Sequence, residues 1–210
     1  MTAKSSVDAI ISDNVQRIRE QMENACIAAG RQIDEVTLLA VTKTVDAERI
    51  NAAIRCGARQ IGENRVQEFL GKRDTLNLDD VQAHLIGHLQ TNKVKQVVGE
   101  VSTIQSVDSI KVAREIGKQS EVLGITTKVL LEVNIGEEAS KSGFGVDDIL
   151  PLVKKLSEFP NICLKGLMAI PPISHNSGEN LKFFQKMFDL YVDIRNKIDD
   201  NVMVDCLSMG

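Results

Sequence analysis

Lys43 stands two residues beyond a short apolar run, Val36 to Val41. The run is bounded by Asp34 and Glu35 on one side and by Thr42-Lys43-Thr44 on the other. Such a run reads as a strand buried on both faces. A lysine at the exit of a buried strand sits where water is scarce. Desolvation favours the neutral amine, and only the neutral amine attacks a carbonyl. Lys43 is therefore a candidate Schiff-base lysine. The plain alternative is a lysine that marks the strand end and reaches solvent.

Other polar groups fall at similar places. Gly62-Glu63-Asn64 follows a strand and precedes a helix, so Asn64 either caps that helix or orients a ligand oxygen. His84 and His88 are four apart, but a strand-to-loop setting spoils the helical geometry that a zinc pair needs. No metal site is expected, since His175 is the one further histidine. His84 reads as structural; His88, after Gly87, is placed to stack on or hydrogen-bond to a flat ligand. Gly143-Phe144-Gly145 is a weak phosphate-loop signal beside the reading of a plain mobile loop. Met168 lies in an apolar strand and reads as core before ligand wall. Ser208-Met209-Gly210 offers a hydroxyl and backbone N–H groups suited to a phosphate. Lys141, in a glycine-flanked loop, is either a solvated lysine or a transient second acceptor.

The elements that position these groups alternate. A first helix carries Ile11, Val15, Ile18, Met22, Ala25 and Ala29 and ends at Gly30. Strands follow at Val36–Val41, Arg59–Gly62, His84–Ile86, Thr103–Val107, Lys128–Val133, Cys163–Ile170 and Val202–Leu207, with helices between them. Asp46 caps the second helix. Alternation at about 25 to 30 residues per unit implies a parallel sheet, either open and doubly wound or closed as a (β/α)8 barrel. The barrel is favoured because the polar residues fall after the strands, where barrel enzymes place their chemistry. A closed barrel needs an eighth strand and a last helix; the seventh strand is followed only by Ser208-Met209-Gly210. The expectation is one domain, 1–210, incomplete at its C-terminus.

The totals bound the function. At 210 residues, 43% hydrophobic and 26% charged, the chain is of globular composition. A net charge of −4 argues against a general nucleic-acid binder. Six Phe, one Tyr and no Trp leave few stacking platforms for single strands. Cys26, Cys56, Cys163 and Cys206 form no CxxC pair and read as reduced thiols of a cytoplasmic protein. No stretch nears the roughly 18 apolar residues of a membrane span.

Taken in order, Leu38–Lys43, Gly62–Glu68, His84–Lys93, Ser106–Asp108, Glu132–Gly136, Ser140–Phe144, Gly166–Ile170 and Leu207–Gly210 match a family pattern across nearly the whole chain. The chain resembles the pyridoxal phosphate homeostasis proteins (the YggS/PROSC family). The resemblance implies a fold type III barrel like the N-terminal domain of alanine racemase. It implies pyridoxal 5′-phosphate (PLP) held as a Schiff base on Lys43. It places Asn64, His88, Ser106, Asn134 and Met168 around the cofactor, and Ser208, Met209 and Gly210 at its phosphate. It further implies a protein that stores, buffers or transfers PLP to apo-enzymes without turnover; a monomer is expected because the pocket needs no partner, and composition argues against a nucleic-acid or membrane partner. In the family, the chain continues past strand seven into the strand that completes the phosphate cup.

Two other classes stay open. A PLP-dependent racemase or decarboxylase needs a second acid–base group. Alanine racemases take a tyrosine from a further domain, for which 210 residues leave no room. The one tyrosine here, Tyr191, lies in an amphipathic helix and reads as packing. A cofactor-free aldolase barrel would use Lys43 directly.

Overall fold

The computed structural model describes residues 3–138, 142–172, 177–197 and 204–210. The chain divides into two compact units, Met1–His84 and Leu85–Gly210.

In the first unit, α1 (Ala3–Ala29) ends at Gly30, whose φ of 65° is one that glycine adopts without strain. The inward stripe of α1 is Ile11, Val15, Met22 and Cys26. Ile18, Ala25 and Ala29, expected on that stripe, are exposed. The stripe is narrow because polar ties share the docking: Arg19 donates to the Gly57 carbonyl at 2.6 Å, and Arg55 pairs with Asp8 at 3.1 Å.

Strand β1 is Leu39–Val41, shorter than the apolar run. A 3-10 turn, Ile33–Glu35, takes up the residues before it, with Val36 as its cap. β1 is not buried on both faces. Leu39 and Ala40 are half-buried and Val41 is 52% exposed. The reason is position: β1 stands first in the strand order and, among the described residues, pairs with β2 (Gln60–Glu63) alone. An edge strand lacks the second neighbour that would cover it. Between them, α2 (Ala47–Arg55) starts at Asp46, whose carboxylate accepts the Arg49 N–H at 3.0 Å, as its sequence signal required. β2 pairs parallel to β1, with Val41 opposite Gly62, and buries Ile61, Gly62 and Glu63. α3 (Val66–Lys72) and β3 (Gln82–Leu85) follow.

In the second unit, the short α4 (Val94–Val97) precedes β4 (Thr103–Val107), which is buried throughout. Then come α5 (Ile110–Leu123), β5 (Thr127–Glu132), α6 (Ile149–Ser157), β6 (Ile162–Ala169), α7 (Ser177–Lys197) and β7 (Cys206–Met209). Strands β4 to β7 are neighbours in chain order and all parallel, as strand–helix alternation dictates. Their core includes Ile104, Ile116, Leu130, Leu131, Leu167 and Ile194, all at 1% exposure or less. Each such side chain contributes about 1.5–3 kcal/mol.

Strand β7 begins at Cys206, not at Val202, and residues 201–203 lie outside the described ones. Its approach to β6 depends on Gly166. A Cβ there would stand 1.7 Å from the Cys206 carbonyl oxygen. The β5–β6 register shifts at this point: Val129 faces Leu164 and Leu130 faces Gly166. Lys165 is left over as a bulge and pairs with Asp205 at 3.0 Å.

Candidate functional site

The first unit places Lys43 at the corner of a tight turn. The Val45 N–H donates to the Thr42 carbonyl at 3.1 Å, closing residues 42–45. Thr44, third in the turn, has φ 61°, a left-handed conformation that costs a β-branched residue about 1–3 kcal/mol. What holds it is a carboxylate: the Thr44 N–H donates to Glu68 Oε1 at 2.5 Å. That bond is the main reason the Glu68 carboxyl is held below its ordinary range, assisted by Lys72.

Beneath the turn lies Lys72, the last residue of α3, with its side chain only 12% exposed. Its ammonium donates to the carbonyls of Thr42 (3.0 Å) and Val45 (3.2 Å), the two ends of the turn. It also reaches Glu68 Oε1 at 3.1 Å and Glu63 Oε1 at 2.8 Å. Glu63 is fully buried, and its Oε1 also accepts the Thr42 hydroxyl at 2.5 Å. Lys43 itself is exposed. The water-poor setting expected at Lys43 is not found among the described residues, where β1 has β2 as its strand neighbour. The buried lysine of this turn is Lys72.

Asn64 does not cap α3. The N-cap is Arg65, without a side-chain bond. The Asn64 Oδ1 atom is buried and has no partner among the described residues.

The second unit gathers its polar groups at the ends of β3, β4, β5 and β7. Ser106 is fully buried and donates to the Gly87 carbonyl at 2.7 Å, tying the exit of β3 to β4. His88, exposed as placed from sequence, points Nδ1 at Asp108 Oδ2, 2.5 Å away, with the Ser142 hydroxyl at 3.3 Å. A carboxylate on Nδ1 holds the proton there and leaves Nε2 as the acceptor of the neutral ring. Glu132 ends β5 with a buried Oε2 that has no partner among the described residues. Burial, then the neighbouring Asp108 carboxylate, push its pKa from 4.5 up to about 7, and His88 opposes them.

The loop after β5 is fastened over Glu132. Phe144 N–H donates to the Glu132 carbonyl at 2.8 Å, and Asn134 N–H to the Phe144 carbonyl at 3.0 Å. Gly143 permits this: a Cβ there would meet the Asn134 nitrogen at 2.7 Å. The Gly-Phe-Gly triplet thus serves a close backbone approach, in place of the phosphate loop or free loop read from sequence. Lys141 and His175 lie outside the described residues.

The matched family model, "Alanine racemase, N-terminal domain", covers residues 9–210. A pyridoxal phosphate homeostasis protein of Aquifex aeolicus is 39% identical over 94% of this chain and 86% of its own length. The chain belongs to the pyridoxal phosphate homeostasis family. A crystal structure of an unknown protein from Bifidobacterium adolescentis superposes with a TM-score of 0.88 at 35% identity, over 100% of this chain and 88% of that one. A structure of PipY from Synechococcus elongatus PCC7942 with PLP bound gives 0.71 at 28% identity, over 84% of this chain and 82% of that one. The fold class is accordingly the barrel of the alanine racemase N-terminal domain, as the alternating strands and helices indicated.

The described residues singled out from sequence fall in the two units as follows. Lys43 and Asn64 belong to the first unit. In the second, Met168 is buried on β6 and sits in register with both Glu132 and Ser208. Ser208 donates to Gln105 Oε1 at 2.8 Å. Asn134 closes its own loop, bonding the Glu138 carbonyl at 2.9 Å and the Glu138 N–H at 3.2 Å. Met209 is exposed, and at Gly210 a Cβ would meet nothing within 4 Å. Sequence reading passed over Lys72, Glu63, Asp108 and Glu132. Three of these four lie inside the motifs already noted, at strand ends, which was the available signal.

Proposed function

We propose that this chain binds PLP through a Schiff base on Lys43 and stores, buffers or hands on the cofactor without turnover. The observation that carries the reading is the Lys43 turn: a primary amine exposed at its corner, on a backbone clamped from below. An amine and an aldehyde condense with loss of one water, and the same water reverses the bond, so an exposed lysine suits loading and release. The remaining donors and acceptors are of the right chemistry. Asn64 Oδ1 is a buried acceptor without a partner among the described residues and fits a ligand hydroxyl or ring N–H. Ser208 and the backbone at Met209 and Gly210 are proposed to hold the phosphate. His88, Ser106, Asn134 and Met168 are proposed to complete the cofactor's surroundings. When bound, PLP supplies an aldehyde and an electron sink; the protein decides whether either is used. Family membership and the PLP-bound PipY support the same reading. Apo PLP-enzymes are the proposed acceptors.

The test is direct. Protein loaded with PLP is expected to turn yellow, and borohydride is expected to fix the label on Lys43. Lys43→Ala is expected to lose the covalent adduct. A label mapped to another lysine overturns the assignment, and sustained turnover of any amino acid overturns the non-catalytic role.

One observation favours a second reading, an amino-acid racemase-like enzyme. The group of Glu132, Asp108 and His88 includes a carboxyl poised near neutrality, where a general acid–base works best. Under that reading Glu132→Gln would abolish a measurable turnover.

A further inference from the structure

We infer that Lys72 is the positioning residue of the Lys43 turn, and that its ion-pair cluster with Glu63 and Glu68 makes Lys43 the lysine that takes the aldehyde. The inference rests on the cofactor reading above and extends it to residues that never touch the ligand.

The argument begins with the geometry of the turn. Four residues make it, and three are fastened. The Thr42 hydroxyl is bonded to Glu63, and its carbonyl to Lys72. The Thr44 N–H is bonded to Glu68, and the Val45 carbonyl to Lys72. Lys43 and Thr44 are the exposed residues of the turn, and of these two Lys43 carries the amine. One ammonium therefore grips both ends of the turn and is itself gripped by two carboxylates. Charge-assisted bonds are about twice as strong as neutral ones, and here they are shielded from water.

The cluster also separates two lysines that border one short turn. An ammonium that donates to three oxygens and is ion-paired with a fourth presents no lone pair to an aldehyde, and 12% exposure leaves little room for one to approach. Lys43 has neither constraint. The strained Thr44 indicates the same purpose. A β-branched residue is held at positive φ by a carboxylate from α3, which fixes the direction in which the preceding side chain leaves the backbone.

The experiment incubates wild type, Lys72→Met and Glu68→Ala with PLP, fixes adducts with borohydride and maps the labelled lysines by mass spectrometry. A parallel arm uses pyridoxal, which lacks the phosphate. Circular dichroism checks that each variant is folded. In folded Lys72→Met, Lys43 labelling is expected to slow about tenfold, with label spreading to other lysines, as a loosened reactive group would show. Glu68→Ala is expected to slow it about threefold, the loss of one hydrogen bond. Both effects are expected with pyridoxal as well, because the cluster acts through the turn and not through the phosphate grip. If Lys72→Met does not fold, Glu68→Ala decides. Labelling of Lys43 at the wild-type rate and site selectivity in the folded variants overturns the inference while the cofactor reading stands. A wild type that takes no label at Lys43 overturns both.

Discussion

The turn carrying Lys43 and the strand ends carrying His88, Asp108 and Glu132 both gather carboxylates, and they treat them in opposite ways. Around the turn, Glu63 and Glu68 share one buried ammonium, and their bonds converge on backbone that must not move. In the second unit, Glu132 and Asp108 face one exposed imidazole; Glu63 Oε2 and Glu132 Oε2 are alike buried without a partner among the described residues, so what sets the turn apart is the Lys72 ammonium at 2.8 Å from the other Glu63 oxygen. The first arrangement holds a shape. The second changes its charge near neutrality. Paired buried charge gives rigidity; crowded, under-compensated charge gives titration.

The comparison can be broken hardest at Lys72. Lys72→Met leaves Glu63 buried and uncompensated, and a loss of about 3–5 kcal/mol in chemical denaturation is expected. A loss under about 1 kcal/mol would mean that the ion pair is not the clamp described.

Gly143→Ala attacks the second region without touching a charge. The added Cβ must push against the Asn134 nitrogen at 2.7 Å, at φ 111°. A loss of about 2 kcal/mol is expected, with hydrogen exchange faster at Asn134 and Phe144. Unaltered exchange at those amides would remove the case for the fastened loop.

Glu132→Gln sharpens the contrast through pH. The folded-state pKa of Glu132 lies above its ordinary 4.5, at about 7, so the native state binds the proton more readily. Stability therefore falls as pH rises from about 4.5 to about 7, and the full penalty stands above that. The Gln variant does not titrate. Its melting temperature is expected to gain on wild type between about pH 5 and pH 8, and no gain would contradict the shift. Asp108→Asn should have the smallest effect. It is expected to lower the Glu132 pKa only part of the way to 4.5, since burial is the larger cause. NMR titration of the Glu132 carboxyl carbon measures this; a full return to 4.5 would make Asp108 the dominant cause.

Local chemistry was legible in the chain. Asp46 before α2 and Gly30 after α1 act as the cap and stop that their types demand. The order of strands and helices was legible for the same reason: periodicity is a short-range property. The family pattern pointed to Lys43 as the proposed Schiff-base lysine. Less legible were burial and pairing. The apolar run before Lys43 looks buried on both faces because hydrophobicity cannot tell a central strand from an edge. Asn64 looked like a cap, yet the chain reaches α3 one residue later and leaves that side chain for something else.

The sequence by itself determined the alternating architecture, the helix ends and the presence of Lys43 at the close of β1. Tertiary structure alone decided which lysine is buried and which is free. Glu63 and Lys72 are nine residues apart, on a strand end and a helix end, and no local rule brings them together. His88, Asp108 and Glu132 come from three strand ends and meet only when the parallel strands are in register. Backbone propensity acts over a few residues, whereas charge pairing and desolvation depend on what the fold places within a few ångströms.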